Sequence, residues 1–374
     1  MKIRTRRKLV TYLTILDQPL KLNPFVFSRT FFLWALLGII GGLISGGYWI
    51  IFNKGKLDPK NNPSMILSSL LCVASGGSLG PEAPLVQVTG STGTWLGQSL
   101  RLKGEQLRSL SIAGMAAGFT ALFGAPLGGS LFSLEILHHK YSAEYYKAII
   151  PALVASCFSY LIFAIIVHLG LGPIWQFPSY EMHDKFDFGY AVIFGLIATF
   201  LGWIFIYCTR FFKMIFQRFA VPIYIKTFIG GILLGIIAYY FPITRYFGHH
   251  TINDLLADPF SLEFLSAVLI LKILAIAITV TSGWRGGFII PLFFVGATLG
   301  LILHHIVPSI NLSLAMVTCM AAINVCVTRT PMSTTILLAT LTGFTYFIPI
   351  LFASLTGYFL APKIPFITSQ LQET

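Results

Sequence analysis

The sequence predicts an all-α fold that crosses a membrane several times. Three observations carry that expectation: charge is scarce, apolar runs of spanning length recur along the whole chain, and Gly/Pro interruptions appear in both halves. Of 374 residues, 56% are hydrophobic and only 10% are charged, with a mean hydropathy of +0.81. A soluble protein carries roughly 25% charged residues. The net charge of +12 is spread over short segments between apolar runs. That distribution fits loops at a membrane surface and argues against a nucleic-acid-binding face.

The elements follow in order. Residues 1–30 open with Lys2, Arg4, Arg6, Arg7 and Lys8, a basic cluster that the positive-inside rule places in the cytoplasm. Val10–Pro24 is mixed and contains Asp17, unlike a cleavable signal peptide. Phe31–Phe52, Ala148–Leu169, Tyr190–Cys208 and Phe264–Thr281 are apolar enough to span. Gly170–Asp187 reads as an exposed connection, and Thr244–Pro259, with His249, His250, Asp254 and Asp258, as a second polar loop. Each half is too thin to bury its own broken helices. Residues 31–374 therefore form one transmembrane domain, with repeats at about 31–170 and 188–367.

Gly80-Pro81-Glu82-Ala83-Pro84 places a lone carboxylate in a helix break between apolar runs. An ionised carboxylate at membrane depth costs at least ~2.5–3.5 kcal/mol on insertion scales and marks an ion or proton pathway by default. Broken backbone is tolerated there where it lines a cavity or is buried in protein. Glu82 is the first candidate for function.

The second half echoes the first. Gly287-Phe288-Ile289-Ile290-Pro291 repeats the Gly-to-Pro spacing, followed in each half by a helix of small residues, Val88–Gly97 and Val295–Leu301. Met115-Ala116-Ala117 with Pro126 then matches Met320-Ala321-Ala322 with Pro331, at an offset of 205–207 throughout. Paired interruptions of this kind bring half-helix N-termini together near the midplane of transporters. Their free backbone N–H groups replace the hydration shell of a small anion without a fixed positive side chain.

These residues resemble the chloride channel/transporter (CLC) family. Gly80-Pro81-Glu82-Ala83-Pro84 keeps the first, third and fifth positions of its Gly-Lys/Arg-Glu-Gly-Pro signature, continuing through Leu85-Val86-Gln87. Gly287-Phe288-Ile289-Ile290-Pro291 is similar to its Gly-x-Phe-x-Pro signature. Arg101-Leu102-Lys103-Gly104-Glu105 and Gly124-Ala125-Pro126-Leu127-Gly128-Gly129 agree further, and Arg285-Gly286-Gly287 is most like a divergent bacterial branch of ion-transport proteins. The resemblance implies two inverted-topology repeats with broken and re-entrant helices, in the plasma (inner) membrane. It also implies a homodimer with one pore per subunit and Glu82 as the gate. Anion-binding amides and pore lining would come from Gly80, Pro81, Ala83, Gly287, Phe288 and Ile289, with Phe366 or Ile367 replacing an inner tyrosine. The expected cargo is chloride or another small anion. Fluoride or nitrate on the same fold, and a transport-inactive membrane scaffold, are the alternatives.

Four departures bear on mechanism. Asn53–Pro63 replaces the Gly-Ser-Gly-Ile-Pro signature, Pro81 and Ala83 change both neighbours of the gate, and the inner tyrosine is absent. Glu135 matches a structural glutamate, while Ile136 occupies the family's proton-transfer position. Little proton coupling is expected.

Other residues have plainer readings. Cys72, Cys157, Cys208, Cys319 and Cys326 lack metal-ligand spacing and read as buried inert thiols. His138-His139, His249-His250 and His304-His305 read as boundary residues first and pH sensors second. Glu135 reads as a helix-end cap or ion-pair partner, and Lys272 as a snorkelling side chain. Arg285 either concentrates anions at a vestibule or is an interfacial base, and Arg329 reads likewise at lower weight. Ser78 and Thr89 either line the path or pack helices. No HExxH or P-loop is present, so neither an enzyme, a metal, a cofactor nor a nucleotide is implied. The chain ends at Thr374, with no regulatory domain expected beyond the membrane region.

Overall fold

A computed structural model describes residues 60, 62–137, 142–167, 173–178, 180, 186–218, 221–257 and 260–367. Phe31–Phe52, most of the Asn53–Pro63 link and His138-His139 lie outside the described residues, as does the basic N-terminus. Among the described residues there are thirteen α-helices. They are α1 (Asn62–Ala74), α2 (Glu82–Ser99), α3 (Gly104–Phe123), α4 (Pro126–Glu135), α5 (Ser142–Val167), α6 (Phe186–Arg218) and α7 (Ile223–Tyr240). After them come α8 (Thr251–Ala257), α9 (Leu262–Thr281), α10 (Ile289–Ile306), α11 (Leu312–Thr328), α12 (Pro331–Thr342) and α13 (Phe347–Phe359).

Among the described residues, five helices are long and apolar enough to cross a membrane: α5, α6, α7, α9 and α10. They divide by burial. The apolar window of α10 is 78% buried against other helices, whereas that of α5 is 11% buried. An apolar helix open on nearly all sides needs lipid or a partner to cover it. Cys157 on α5 is accordingly exposed, the exception to the buried-thiol reading; Cys72, Cys319 and Cys326 are buried and Cys208 is half-buried.

The repeat is visible in backbone detail. Helices α2 and α10 each contain 18 residues. Each half breaks at a left-handed glycine, Gly76 at φ +91 and Gly283 at φ +99, a conformation that costs glycine nothing sterically. Proline at the first helical position starts both α4 and α12, where its missing N–H is no loss. α2 packs on α3 as α10 packs on α11. Close approach explains the small residues: a Cβ on Gly114 would lie 2.3 Å from the Thr89 carbonyl oxygen, and one on Gly300 would lie 2.4 Å from Met316 Cα.

Three segments differ from expectation. The connection before α6 is partly interior: Trp175 is buried, donates its indole N–H to the His249 carbonyl at 2.9 Å and sets its ring 5.7 Å from Phe293. Its aromatic bulk outweighs the polar composition around it. The polar loop after α7 contains α8 and the buried Thr244, Arg245 and Tyr246. Lys272 does not snorkel. It is fully buried, and its ammonium donates to the carbonyls of Thr244 at 3.0 Å, Arg245 at 3.4 Å and Tyr246 at 2.8 Å, above the Phe294 ring. Three carbonyls replace the water that a buried ammonium loses.

Candidate functional site

The two Gly/Pro interruptions meet. Gly80 N–H donates to the Gly287 carbonyl at 2.8 Å, and Gly287 N–H donates back to the Gly80 carbonyl at 2.6 Å, an isolated antiparallel bridge. Pro81 and Phe288 follow as N-caps with no side-chain cap bond, so α2 and α10 begin side by side with bare first turns. The orphan amides of a helix N-terminus carry partial positive charge and seek an acceptor.

Glu82 supplies one. It is 1% exposed, and its Oε1 accepts the backbone N–H of Ile290 at 2.9 Å. The carboxylate therefore crosses from the start of one repeat to the first turn of the other. Its second oxygen, Oε2, has no hydrogen-bond partner among the described residues. The seat is cut by two glycines: a Cβ on Gly80 or Gly287 would lie 2.2 Å or 2.3 Å from that oxygen. Only backbone without side chains leaves room for the carboxylate there.

Beside this seat lies a cavity of about 370 Å³. Glu82, Ala83, Gly287, Phe288, Ile289 and Ile367 line it, as does Ile136. Gly80 and Pro81 do not. Their backbone has no donor to offer, because the Gly80 N–H is committed to the bridge and proline has none. Phe366 sits behind the lining, its ring 5.2 Å from Phe288 and 5.6 Å from Phe205. Arg285 is outside the lining; its amide lies 3.5 Å from Cys72 Sγ.

Other sequence candidates find local employment. Glu135 caps α12, accepting the Met332 and Ser333 amides at 3.2 and 2.8 Å and the Ser333 hydroxyl at 2.5 Å. The expected helix-end role is there, with the cap supplied to a different helix. Thr89 bonds the Leu85 carbonyl at 2.9 Å within its own helix, while the buried Ser78 hydroxyl has no partner among the described residues.

Two contributors escaped the sequence. Ile290 was read only as part of the second interruption, since a main-chain donor leaves no trace in residue type. Thr328, which lines the cavity, belongs to a buried hydroxyl series with Thr330 at 2.8 Å and Thr334 a further 3.1 Å on. A threonine at the end of an uncharged helix has the same sequence signature as ordinary packing.

The arrangement can hold a small anion: convergent bare amides, an apolar cavity and one carboxylate in competition for the same donors. The family model for the voltage gated chloride channel matches residues 50–362. An uncharacterized protein of Methanocaldococcus jannaschii is 31% identical over 289 residues, covering 76% of this chain and 71% of its own length. A Ralstonia nicotianae protein named ClcB-like is 28% identical over 324 residues, covering 83% and 74%. Among solved structures, a CLC-type fluoride/proton antiporter superposes with a TM-score of 0.75 at 20% identity, over 94% of this chain and 99% of that one. A slow cyanobacterial chloride/proton antiporter also gives 0.75, at 19% identity, over 88% and 83%.

Proposed function

The chain belongs to the voltage-gated chloride channel family, a family of ion channels and transporters, and from that premise we propose a chloride path gated by Glu82. The observation that carries the proposal is the bond from Ile290 N–H to the Glu82 carboxylate, buried where the two half-helices begin. A carboxylate and a chloride ion compete for the same amides. When the carboxylate is seated, the path is plugged; when it is protonated or swings away, the amides are released to an anion. Backbone dipoles bind strongly enough to admit the ion and weakly enough to let it leave.

Transport in this reading is channel-like or weakly coupled to protons. Ile136 stands at the cavity wall where the family places a proton-transfer carboxylate, and Glu135 is held by α12 instead. The protein works as a homodimer with one pore per subunit in the inner membrane, its basic N-terminus cytoplasmic and its exposed apolar faces against lipid or the partner subunit. Preference for fluoride or nitrate is an alternative outcome of the same test.

That test is anion efflux from liposomes containing the purified protein, with chloride, fluoride and nitrate as separate arms and proton movement recorded together. Chloride efflux with little proton movement is the expected result. Stoichiometric uphill proton pumping driven by a chloride gradient refutes the weak coupling, and efflux with fluoride alone replaces the cargo. No efflux with any of the three leaves the scaffold reading in its place.

A further inference from the structure

The two repeats end their second long helix in the same way but with different residues. Gly124 closes α3 at φ 63, and Arg329 closes α11 at φ 57, each donating its N–H to a carbonyl one turn back. The left-handed region suits glycine and strains a side-chain-bearing residue. The first repeat uses glycine there; the second accepts the strain of an arginine. Such an outlier points toward a function for its side chain.

The Arg329 side chain has a specific target. Its guanidinium donates to the carbonyl of Pro362. Two residues of α6 hold the same stretch: Trp203 donates its indole N–H to the Leu360 carbonyl at 2.8 Å, and Arg210 donates to the Ile364 carbonyl at 3.0 Å. The gripped carbonyls belong to alternate residues, 360, 362 and 364, so three side-chain donors fasten one run of backbone. Immediately beyond that run, Phe366 wedges between Phe205 and Phe288, and Ile367 forms part of the cavity wall.

We propose that Arg329, supported by Arg210, is a positioning residue that straps residues 360–367 beside the cavity and so sets the width of the anion path at Ile367. The inference rests on the anion-transport reading for its functional half. Arg329 does not touch the ion. It fixes main-chain carbonyls that have no helix to hold them, and through them Ile367 at the cavity wall, with Phe366 packed behind it. Arginine suits the task because its planar fork always carries charge and holds a carbonyl in a defined direction.

Arg329→Gly is the decisive variant, since it relieves the backbone strain while removing the grip. Amide hydrogen exchange in detergent reads the positioning without any transport assay. Faster exchange confined to residues 360–367 is expected in Arg329→Gly and in Arg210→Ala, with partial recovery in Arg329→Lys. In liposomes, Arg329→Gly should speed chloride efflux several-fold and bring nitrate and chloride rates closer together. In an Ile367→Ala background the same substitution should add little. Native exchange in both grip variants overturns the strap. Faster exchange with unchanged efflux and selectivity overturns the claim about path width. Absence of efflux in the unaltered protein defeats the anion reading and the path-width claim with it, while the exchange data still decide whether Arg329 positions the segment.

Discussion

The amide of Ile290 meets Oε1 of Glu82 at 2.9 Å, joining residues 208 positions apart in the chain. No salt bridge among the described residues holds this carboxylate. A backbone donor at a helix start does so, which is the kind of group that also binds a free anion. Glu82→Gln keeps the size and removes the titration. The expected result is altered chloride efflux that no longer varies between about pH 4.5 and pH 7.5, because the variant side chain carries no titratable proton. Efflux that keeps the unaltered protein's pH profile in this variant rejects the gate.

A methyl group can test the seat from the other side. A Cβ on Gly80 would lie 2.2 Å from Glu82 Oε2 and 2.6 Å from its carboxyl carbon. Both atoms end a flexible side chain, so the carboxylate yields before the backbone does. Gly80→Ala should therefore expel the carboxylate and raise efflux, with little loss of folded protein. In a Glu82→Ala background the same methyl should do almost nothing, since its clash is gone. Additive effects of the two substitutions exclude the seat.

Much of this architecture was legible because membrane insertion writes simple rules into sequence. Spanning helices need long apolar runs, and α5, α6 and α9 fell where such runs were read. The meeting of the two halves was legible from the matched glycines, and Gly80 and Gly287 prove to be hydrogen-bonded to each other. What stayed hidden depends on neighbours distant in sequence. Lys272 looked like a snorkelling base because a lone lysine in an apolar run gives no sign of three carbonyls waiting inside. Trp175 lay in a stretch rich in Pro, Gly and charge, and only the packing against Phe293 shows it to be interior. The donor from Ile290 is main chain, invisible to any reading by residue type.

Close helix contact makes a sharper stability prediction. A Cβ on Gly300 would sit 2.4 Å from Met316 Cα and 2.5 Å from Met316 N, which are backbone atoms that cannot turn aside. Gly300→Ala should cost about 1–3 kcal/mol by overpacking. Gly189 has nothing within 4 Å of its notional Cβ, so Gly189→Ala should be neutral or stabilise by roughly 0.5–1 kcal/mol through helix propensity. Thermal unfolding in detergent compares the two directly.

Lys272→Met retains length and apolarity while deleting the ammonium. The carbonyls of Thr244 and Tyr246, now at 3.0 and 2.8 Å from the Nζ, would lose that donor. A buried acceptor left unsatisfied costs about 1–3 kcal/mol. The melting temperature should fall clearly, and efflux per folded molecule should change little, because Lys272 is outside the cavity lining. Normal stability with lost efflux would reverse this assignment and make Lys272 part of the anion path.

Histidine supplies the last test, because it decides which group reports pH. The His249 ring lies 5.3 Å from Trp175 and 6.3 Å from Phe247, with His250 as the titratable ring against it at 5.4 Å. Burial, reinforced by the charge of His250, lowers the His249 pKa from 6.5 to about 4. The folded protein thus keeps this ring neutral where the unfolded chain would protonate it. Its effect on stability is absent above about pH 6.5, and stability is lost progressively as pH falls from there toward 4. At 1.36 kcal/mol per unit of pKa, the full loss is on the order of 3 kcal/mol. His249→Phe should flatten the decline of melting temperature over that window and leave the values at neutral pH nearly unchanged. It should also leave the pH dependence of efflux in place, since that dependence is assigned to Glu82. Efflux that loses its pH dependence in His249→Phe and keeps it in Glu82→Gln would move the sensor from the helix crossing to the loop after α7.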